Sequence, residues 1–241
     1  MLRNKILVFD NPEHVATSVA KIIVEKINNK KGIFNLAISG GNTPKILFDI
    51  LAKQYSDTVR WDKLNLFWVD ERCVEPSDKE SNYGMVYNTL LTNIPIPPEN
   101  IFRMQGERQP ETESVHYQKI LNKTLPKHNN LPFFDLVLLG MGEDGHTASI
   151  FPYNILLLYS EQTVAVATHP NSGQKRITLT GNTIKNSRQI FFLITGESKE
   201  ETLKQIITEA KEAEKYPAYH ILSTTKAEVF TDKGAFKSFY L

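Results

Sequence analysis

Four stretches of the chain are apolar almost throughout: FNLAIS (34–39), LNLFWV (64–69), FFDLVLLG (133–140) and QIFFLIT (189–195). A strand with one wet face alternates apolar and polar residues, whereas a strand covered on both faces reads as a continuous apolar run. Between these runs the apolar residues recur at helical spacing. From Pro12 to about Asn28 they fall at Val15, Val19, Ile22, Ile23 and Ile27, and TPKILFDILAKQY (43–55) repeats the pattern. Helices are also predicted over 81–91 and 111–125, and one long amphipathic helix from 198 to about 215. KILVF (5–9), TVAVAT (163–168), RITLT (176–180) and AEVFTD (227–232) add strands, while NIPIPPEN (93–100) holds too many prolines to be helical. Strands alternating with helices predict an α/β fold with a mostly parallel sheet, helices on both faces. The 241 residues suit a single domain over 1–241.

Composition narrows the class. The net charge is +1, so no global field steers the chain toward nucleic acid or an anionic membrane. With one cysteine, Cys73, neither an internal disulfide nor a cysteine metal cluster can form. The opening MLRNKILVFDNPEHV has too short an apolar run for a secretory signal, and no run approaches a membrane span. A cytoplasmic protein is expected. The sequence leaves a monomer and a small homo-oligomer equally open.

In open parallel sheets ligands collect beyond the carboxyl ends of the strands. Three unusual segments follow predicted strands. In SGGNTP (39–44), glycines bring backbone amides close to a ligand, and a helix opening near Thr43 and Pro44 adds its positive dipole end. Ser39, Gly40, Gly41, Asn42 and Thr43 are therefore candidates for a phosphate or carboxylate site, against the plainer alternative of a tight turn capped by Thr43. In DERCV (70–74), Arg72 offers a planar fork for an oxyanion, and Asp70 is a candidate to orient a base or a substrate hydroxyl. Ser81 and Asn82 suit the start of the next helix, and Cys73 suits packing. In GMGEDGHTAS (140–149), the glycines stop any helix before His146, and a helix beginning there would place His146 at a positive dipole end. That would keep the imidazole neutral and available as a general base. Asp144 is placed either to orient the ring or to cap the helix. Of the other histidines, only His169 lies in a loop bordering these segments, and no histidine pair has metal-ligand spacing, so no metal is expected. Arg176, opening RITLT, and Lys199, after QIFFLITGES, are further candidate phosphate ligands.

Taken together, these segments resemble the 6-phosphogluconolactonase family over nearly the whole chain. The resemblance rests on Ser-Gly-Gly-x-Thr-Pro (39–44), on Asp-Glu-Arg (70–72) followed by Ser81 and Asn82, and on Gly-Met-Gly-x-Asp-Gly-His-Thr-Ala-Ser (140–149). Arg-Ile-Thr-Leu-Thr (176–180) and Gly-x-x-Lys (196–199) complete it. Three features depart from the family pattern: Asn42 where serine is common, the apolar NILLLYS (154–160), and NSGQK (171–175), which lacks the usual prolines. The resemblance implies a doubly wound, Rossmann-like sheet shared with glucosamine-6-phosphate deaminases. It implies cofactor-free hydrolysis of a small-molecule sugar-phosphate lactone, 6-phospho-D-glucono-1,5-lactone, with His146 activating water and the cations sharing phosphate and lactone oxygens. The alternatives are a glucosamine-6-phosphate deaminase using Asp70 as a base at C2, and a non-catalytic sugar-phosphate sensor.

Overall fold

A computed structural model describes Leu2 and residues 4–240. The chain runs β1 (Ile6–Phe9), α1 (Pro12–Asn29), β2 (Phe34–Ile38), α2 (Asn42–Tyr55), β3 (Leu64–Trp68), β4 (Asp70–Arg72), α3 (Asn82–Thr89), β5 (Ile101–Phe102) and α4 (Pro110–Thr124). It continues β6 (Lys127–His128), β7 (Leu131–Pro132), β8 (Leu136–Leu139), β9 (Val164–Thr168), β10 (Lys175–Leu179), α5 (Gly181–Lys185), β11 (Ile190–Ile194), α6 (Glu200–Ile207), α7 (Pro217–Thr224) and β12 (Glu228–Asp232).

Seven strands form the main sheet in the order β1-β12-β11-β8-β2-β3-β5, and every pair in it is parallel. The apolar runs land where their composition requires. β2, β8 and β11 are buried along their whole length, while the edge strands β1 and β5 are only half-buried. After β2 the chain moves outward to β3; after β8 it moves the other way, to β11. The strand order therefore reverses between β2 and β8, and the loops leaving their carboxyl ends diverge and open a crevice.

The strands TVAVAT and RITLT lie outside this sheet. β9 and β10 join β4 in a separate three-stranded antiparallel sheet, β4-β10-β9. The charged triplet 70–72 is itself the edge strand of that sheet, rather than a loop after β3. A third, two-stranded ribbon, β6-β7, turns through Asn129 and Asn130, both left-handed as a two-residue hairpin requires.

Two helix predictions are corrected. The long helix from 198 to 215 is broken: a short 3₁₀ turn, Glu197–Lys199, precedes α6, which stops at Ile207. Glu209 takes a left-handed backbone (φ 54°), and the Ala210 amide closes back onto the Gln205 carbonyl at 2.9 Å, a helix-ending wrap. A second 3₁₀ turn, Lys211–Lys215, leads to α7, which opens on Pro217. No helix begins at His146 either; the chain turns through 140–151 and first becomes helical in the 3₁₀ segment Pro152–Tyr159. All of NILLLYS but its last residue lies in this segment, with Leu158 buried and Leu156 80% exposed.

One polar group ties α4 to the sheet. The Tyr117 hydroxyl, fully buried, accepts the Trp68 amide at 3.0 Å and donates to the Phe102 carbonyl at 3.0 Å, joining β3 and β5. Removing that oxygen strands a buried amide, which costs about 1–3 kcal/mol. Tyr117→Phe is therefore expected to lower unfolding free energy by that amount in a urea titration; an unchanged midpoint would show that the hydroxyl link contributes nothing.

Candidate active site

The three segments and the two cations meet at one cleft of about 660 Å³ at the carboxyl end of the main sheet. Ser39, Gly40, Gly41, Asn42, Thr43, Asp70, Arg72, His146, Arg176 and Lys199 all line it. Asp144 stands behind His146, off the wall.

The SGGNTP turn is shaped by its neighbours. Ser39 Oγ donates to the Leu138 carbonyl at 2.9 Å and so stitches the end of β2 to β8. Gly40 has no room for a side chain, because a Cβ there would sit 1.9 Å from Asn82 Oδ1. Gly41 caps α2 in a backbone that other residues rarely adopt (φ 114°), and no side chain caps the helix. α2 begins at Asn42, one residue before the expected Thr43; Thr43 Oγ1 lies 2.6 Å from Thr195 Oγ1 rather than capping. The first-turn amides of α2 therefore have no side-chain cap, as an anion site needs.

The two-residue period of a strand sorts the triplet Asp70-Glu71-Arg72. Asp70 and Arg72 face the cleft, and Glu71 turns inward. Glu71, 1% exposed, accepts the amides of Arg72, Asn82 and Tyr83, each at 2.7 Å, and the Ser81 hydroxyl at 3.2 Å. It thus anchors the start of α3. Burial pushes its carboxyl up, opposed by the amides of Tyr83, Asn82 and Arg72. Sequence reasoning gave Glu71 no role, since only the pairing of β4 with β10 reveals which way it points.

Arg72 pairs directly with Arg176 across β4 and β10. Like charges opposite each other on one sheet face repel. The Nε atoms of both are buried without a hydrogen-bond partner. Arg72 also donates through Nη1 to the Glu80 carbonyl. Burial, then the charge of Arg72, depress the Arg176 guanidinium. Two unsatisfied donors and two like charges in one wall describe a receptor for an anion.

Asp70 does not reach the histidine. Its Oδ2 accepts the Ser149 hydroxyl at 2.7 Å, and the Ser149 amide donates to Thr178 Oγ1 at 3.2 Å, so Asp70 braces the 140–149 turn from below. Cys73 is half-buried, and burial, with the charge of Glu71, pushes its thiol up to about 11, as suits a packing residue.

His146 is held without a helix. The Gly142 amide donates to the His146 carbonyl at 2.9 Å, Gly145 takes φ 75°, Ala148 takes φ 51°, and Thr147 bridges to Ile150. These turns exclude the helix start, and with it the dipole expected to act on the ring. The ring is fixed by Asp144 instead, whose Oδ1 lies 2.6 Å from His146 Nδ1 and also accepts the His146 amide at 3.2 Å. A Cβ on Gly142 would fall 2.1 Å from Nδ1, so only glycine leaves space for the ring. Burial would raise the Asp144 carboxyl, but the hydrogen bond and charge of His146 bring it below the ordinary range. Asp144 therefore orients the ring; it caps no helix. Phe151 packs on the other side, 4.8 Å between ring centroids.

Lys199 follows β11 and lies 3.8 Å from Glu143 Oε1 across the mouth of the cleft. Also on the wall are His169, Phe151, Asn82, Ser149 and Thr195. Among the described residues, no group of three or more histidine, cysteine or acidic side chains could hold a metal.

An α/β sheet reversing over a cation-lined cleft defines a doubly wound protein with an anion-binding crevice, and the comparisons narrow that class. The family described as glucosamine-6-phosphate isomerases/6-phosphogluconolactonase matches residues 10–231. A 6-phosphogluconolactonase of Haemophilus influenzae is 39% identical over 231 residues, 94% of this chain and 96% of that one. Another, of Treponema pallidum, is 38% identical over 202 residues, 84% of this chain and 83% of that one. The crystal structure of the devB protein superposes with a TM-score of 0.93 at 36% identity, covering 97% and 98% of the two chains. The chain belongs to the glucosamine-6-phosphate isomerase/6-phosphogluconolactonase family.

Glu71→Ala leaves one buried and two part-buried amides without their acceptor, and is expected to cost about 3 kcal/mol or more of stability. A guanidinium denaturation reads this directly, and an unshifted midpoint would remove Glu71 as the anchor of α3.

Proposed function

We propose that this chain is a 6-phosphogluconolactonase, hydrolysing 6-phospho-D-glucono-1,5-lactone to 6-phospho-D-gluconate in the oxidative branch of the pentose phosphate pathway. The observation that carries this is the placement of the Asp144-braced His146 and the Arg72–Arg176 pair on one cleft. The curated relatives are named for the same activity.

Asp144 holds the proton on Nδ1 and leaves the Nε2 lone pair free. His146 takes a proton from water as its oxygen bonds to the lactone carbonyl carbon. The carbonyl oxygen becomes an oxyanion, stabilised by a cation or amide of the cleft wall. The tetrahedral centre collapses, the bond to the ring oxygen breaks, and His146 returns its proton to that oxygen. The open acid then loses its carboxyl proton to solvent. Ester hydrolysis moves no electrons between molecules, so the chemistry needs only water and the side chains named. The amides of Gly41 to Thr43, with Arg72, Arg176 and Lys199, share the phosphate and the lactone oxygens.

The deaminase alternative needs Asp70 free as a base at C2. Asp70 is 7% exposed and already bound by Ser149, which weighs against that role. The chain is read as one domain because its first strand, β1, pairs with its last, β12. No helix among the described residues is long and apolar enough to cross a membrane. The cytoplasm is the location proposed, an aqueous compartment that suits a charged phosphate ester.

General acid–base help is worth about 10²–10⁴-fold. His146→Ala is therefore expected to lower kcat for lactone opening, above the spontaneous rate, by that range; full activity would refute the base. Arg176→Ala removes a charged hydrogen bond and is expected to raise KM about 10- to 100-fold. Ammonia release from glucosamine 6-phosphate would instead move the chain to the deaminase branch, and lactone binding without turnover would make it a sensor.

A further inference from the structure

The loop between β9 and β10 departs from the family pattern, and the residue at its start has no assigned task. His169 lies on the cleft wall. Its amide donates to the Gln174 carbonyl at 2.8 Å and its carbonyl accepts from Gly173 at 3.0 Å, so the hairpin tip is closed tightly on itself. Gln174 Nε2 fixes the tip to Glu80 Oε2 at 3.0 Å. The ring is oriented as well as the backbone. Nδ1 accepts the Ser172 amide at 3.2 Å and lies 3.0 Å from the Ser172 hydroxyl. An accepting Nδ1 puts the proton of the neutral ring on Nε2. Among the described residues, Nε2 has no hydrogen-bond partner.

Strand periodicity says where that donor points. Ala167 is the register partner of Arg176, which is itself the partner of Arg72. Cross-strand partners share a sheet face, and residues two apart on a strand share it too. Ala167, Arg176 and Arg72 thus form one row, and His169 stands beside it on the same face. The small Ala167 leaves the guanidinium room. Phe151 connects this face to the catalytic histidine: its ring is 4.8 Å from His146 and meets His169 edge-on at 5.3 Å.

We propose that His169 is a substrate-binding residue, donating its Nε2–H to the anionic group held by Arg72 and Arg176. This rests on the lactonase reading for the identity of the substrate, but not for the anion site. The groups facing the ring are Arg176 on β10, Arg72 on β4, and His146 and Asp144 on the 140–149 turn. Burial, then the charges of Arg176 and His146, lower the His169 pKa, against a smaller opposing pull from Asp144. The ring is therefore a neutral donor at pH 7. A bound dianion reverses the local field and favours the imidazolium. Acidification should then strengthen the contact, adding a third positive charge beside the anion, with the Ser172 hydroxyl, 3.0 Å away, turning to accept from the protonated Nδ1.

Sulfate is the probe, because it stays a dianion from pH 8 to 5.5 while phosphate does not. Calorimetry with the wild type, His169→Ala and His169→Gln reads binding without turnover. His169→Ala is expected to weaken sulfate about tenfold, in line with one hydrogen bond to a charged group. His169→Gln, which keeps an N–H, should recover much of this at pH 8, but fall behind the wild type as the pH drops. In lactone kinetics, the loss in kcat/KM of His169→Ala should be carried by KM. Unchanged sulfate affinity in a His169→Ala protein that melts like wild type would overturn the proposal. So would a loss confined to kcat, or no sulfate binding by the wild type. A wild type that binds sulfate through His169 yet opens no lactone would sink the lactonase reading alone.

Discussion

The molecule depends on one constraint: the parallel sheet must reverse its strand order, and it does so between β2 and β8. Two loops leave neighbouring strands in opposite directions there, and nothing in the sheet fills the space above them. The Ser39 hydroxyl, bonded to the Leu138 carbonyl, holds these two strand ends together at the base of the crevice. One loop offers amides at the start of α2; the other carries His146. The second sheet supplies what the first cannot. β4 follows β3 directly, turns its face to the crevice and brings the arginines from the side. The arginine pair and the histidine thus come from two sheets and meet only in the fold.

The energetics of the site divide along the same line. Groups beneath the cleft are satisfied: Glu71 by three amides and a hydroxyl, Asp70 by Ser149, Thr147 Oγ1 by the Gly140 carbonyl at 2.8 Å. In the wall, the guanidinium Nε atoms of Arg72 and Arg176 are not. A rigid, hydrogen-bonded underlayer beneath an unsatisfied surface is the arrangement that preorganisation requires. Glycine makes it compact: at Gly40 the missing side chain admits Asn82, and at Gly142 it admits the His146 ring.

Much of this was legible because burial on both faces leaves a strong mark. The apolar runs of β2, β3, β8 and β11 are strands where the residues said so, and α1 begins at Pro12 as its pattern required. Most of the candidate residues were legible because they follow an apolar strand run, with Arg176 opening a strand instead, and all but Asp144 line the cleft. What stayed hidden depends on long-range pairing or on single backbone torsions. Asp-Glu-Arg reads as a charged loop until β10 lies beside it. A helix after His146 fails because Gly145 and Ala148 turn left-handed, and the helix of 198–215 fails at Glu209 for the same reason. His169 had no signal but its neighbourhood, since the strand that aims it belongs to a sheet that composition does not announce.

The facing arginines bear on more than recognition. Their repulsion is a strain that the folded state carries and the unfolded chain does not. A dianion seated between them would offset it, and the pair exists only in the folded form. Folding and occupancy are then coupled by mass action: a ligand at a hundred times its Kd adds about 2.7 kcal/mol to the folded state. Resistance to heat and proteolysis would therefore rise with occupancy of this pair by an anion.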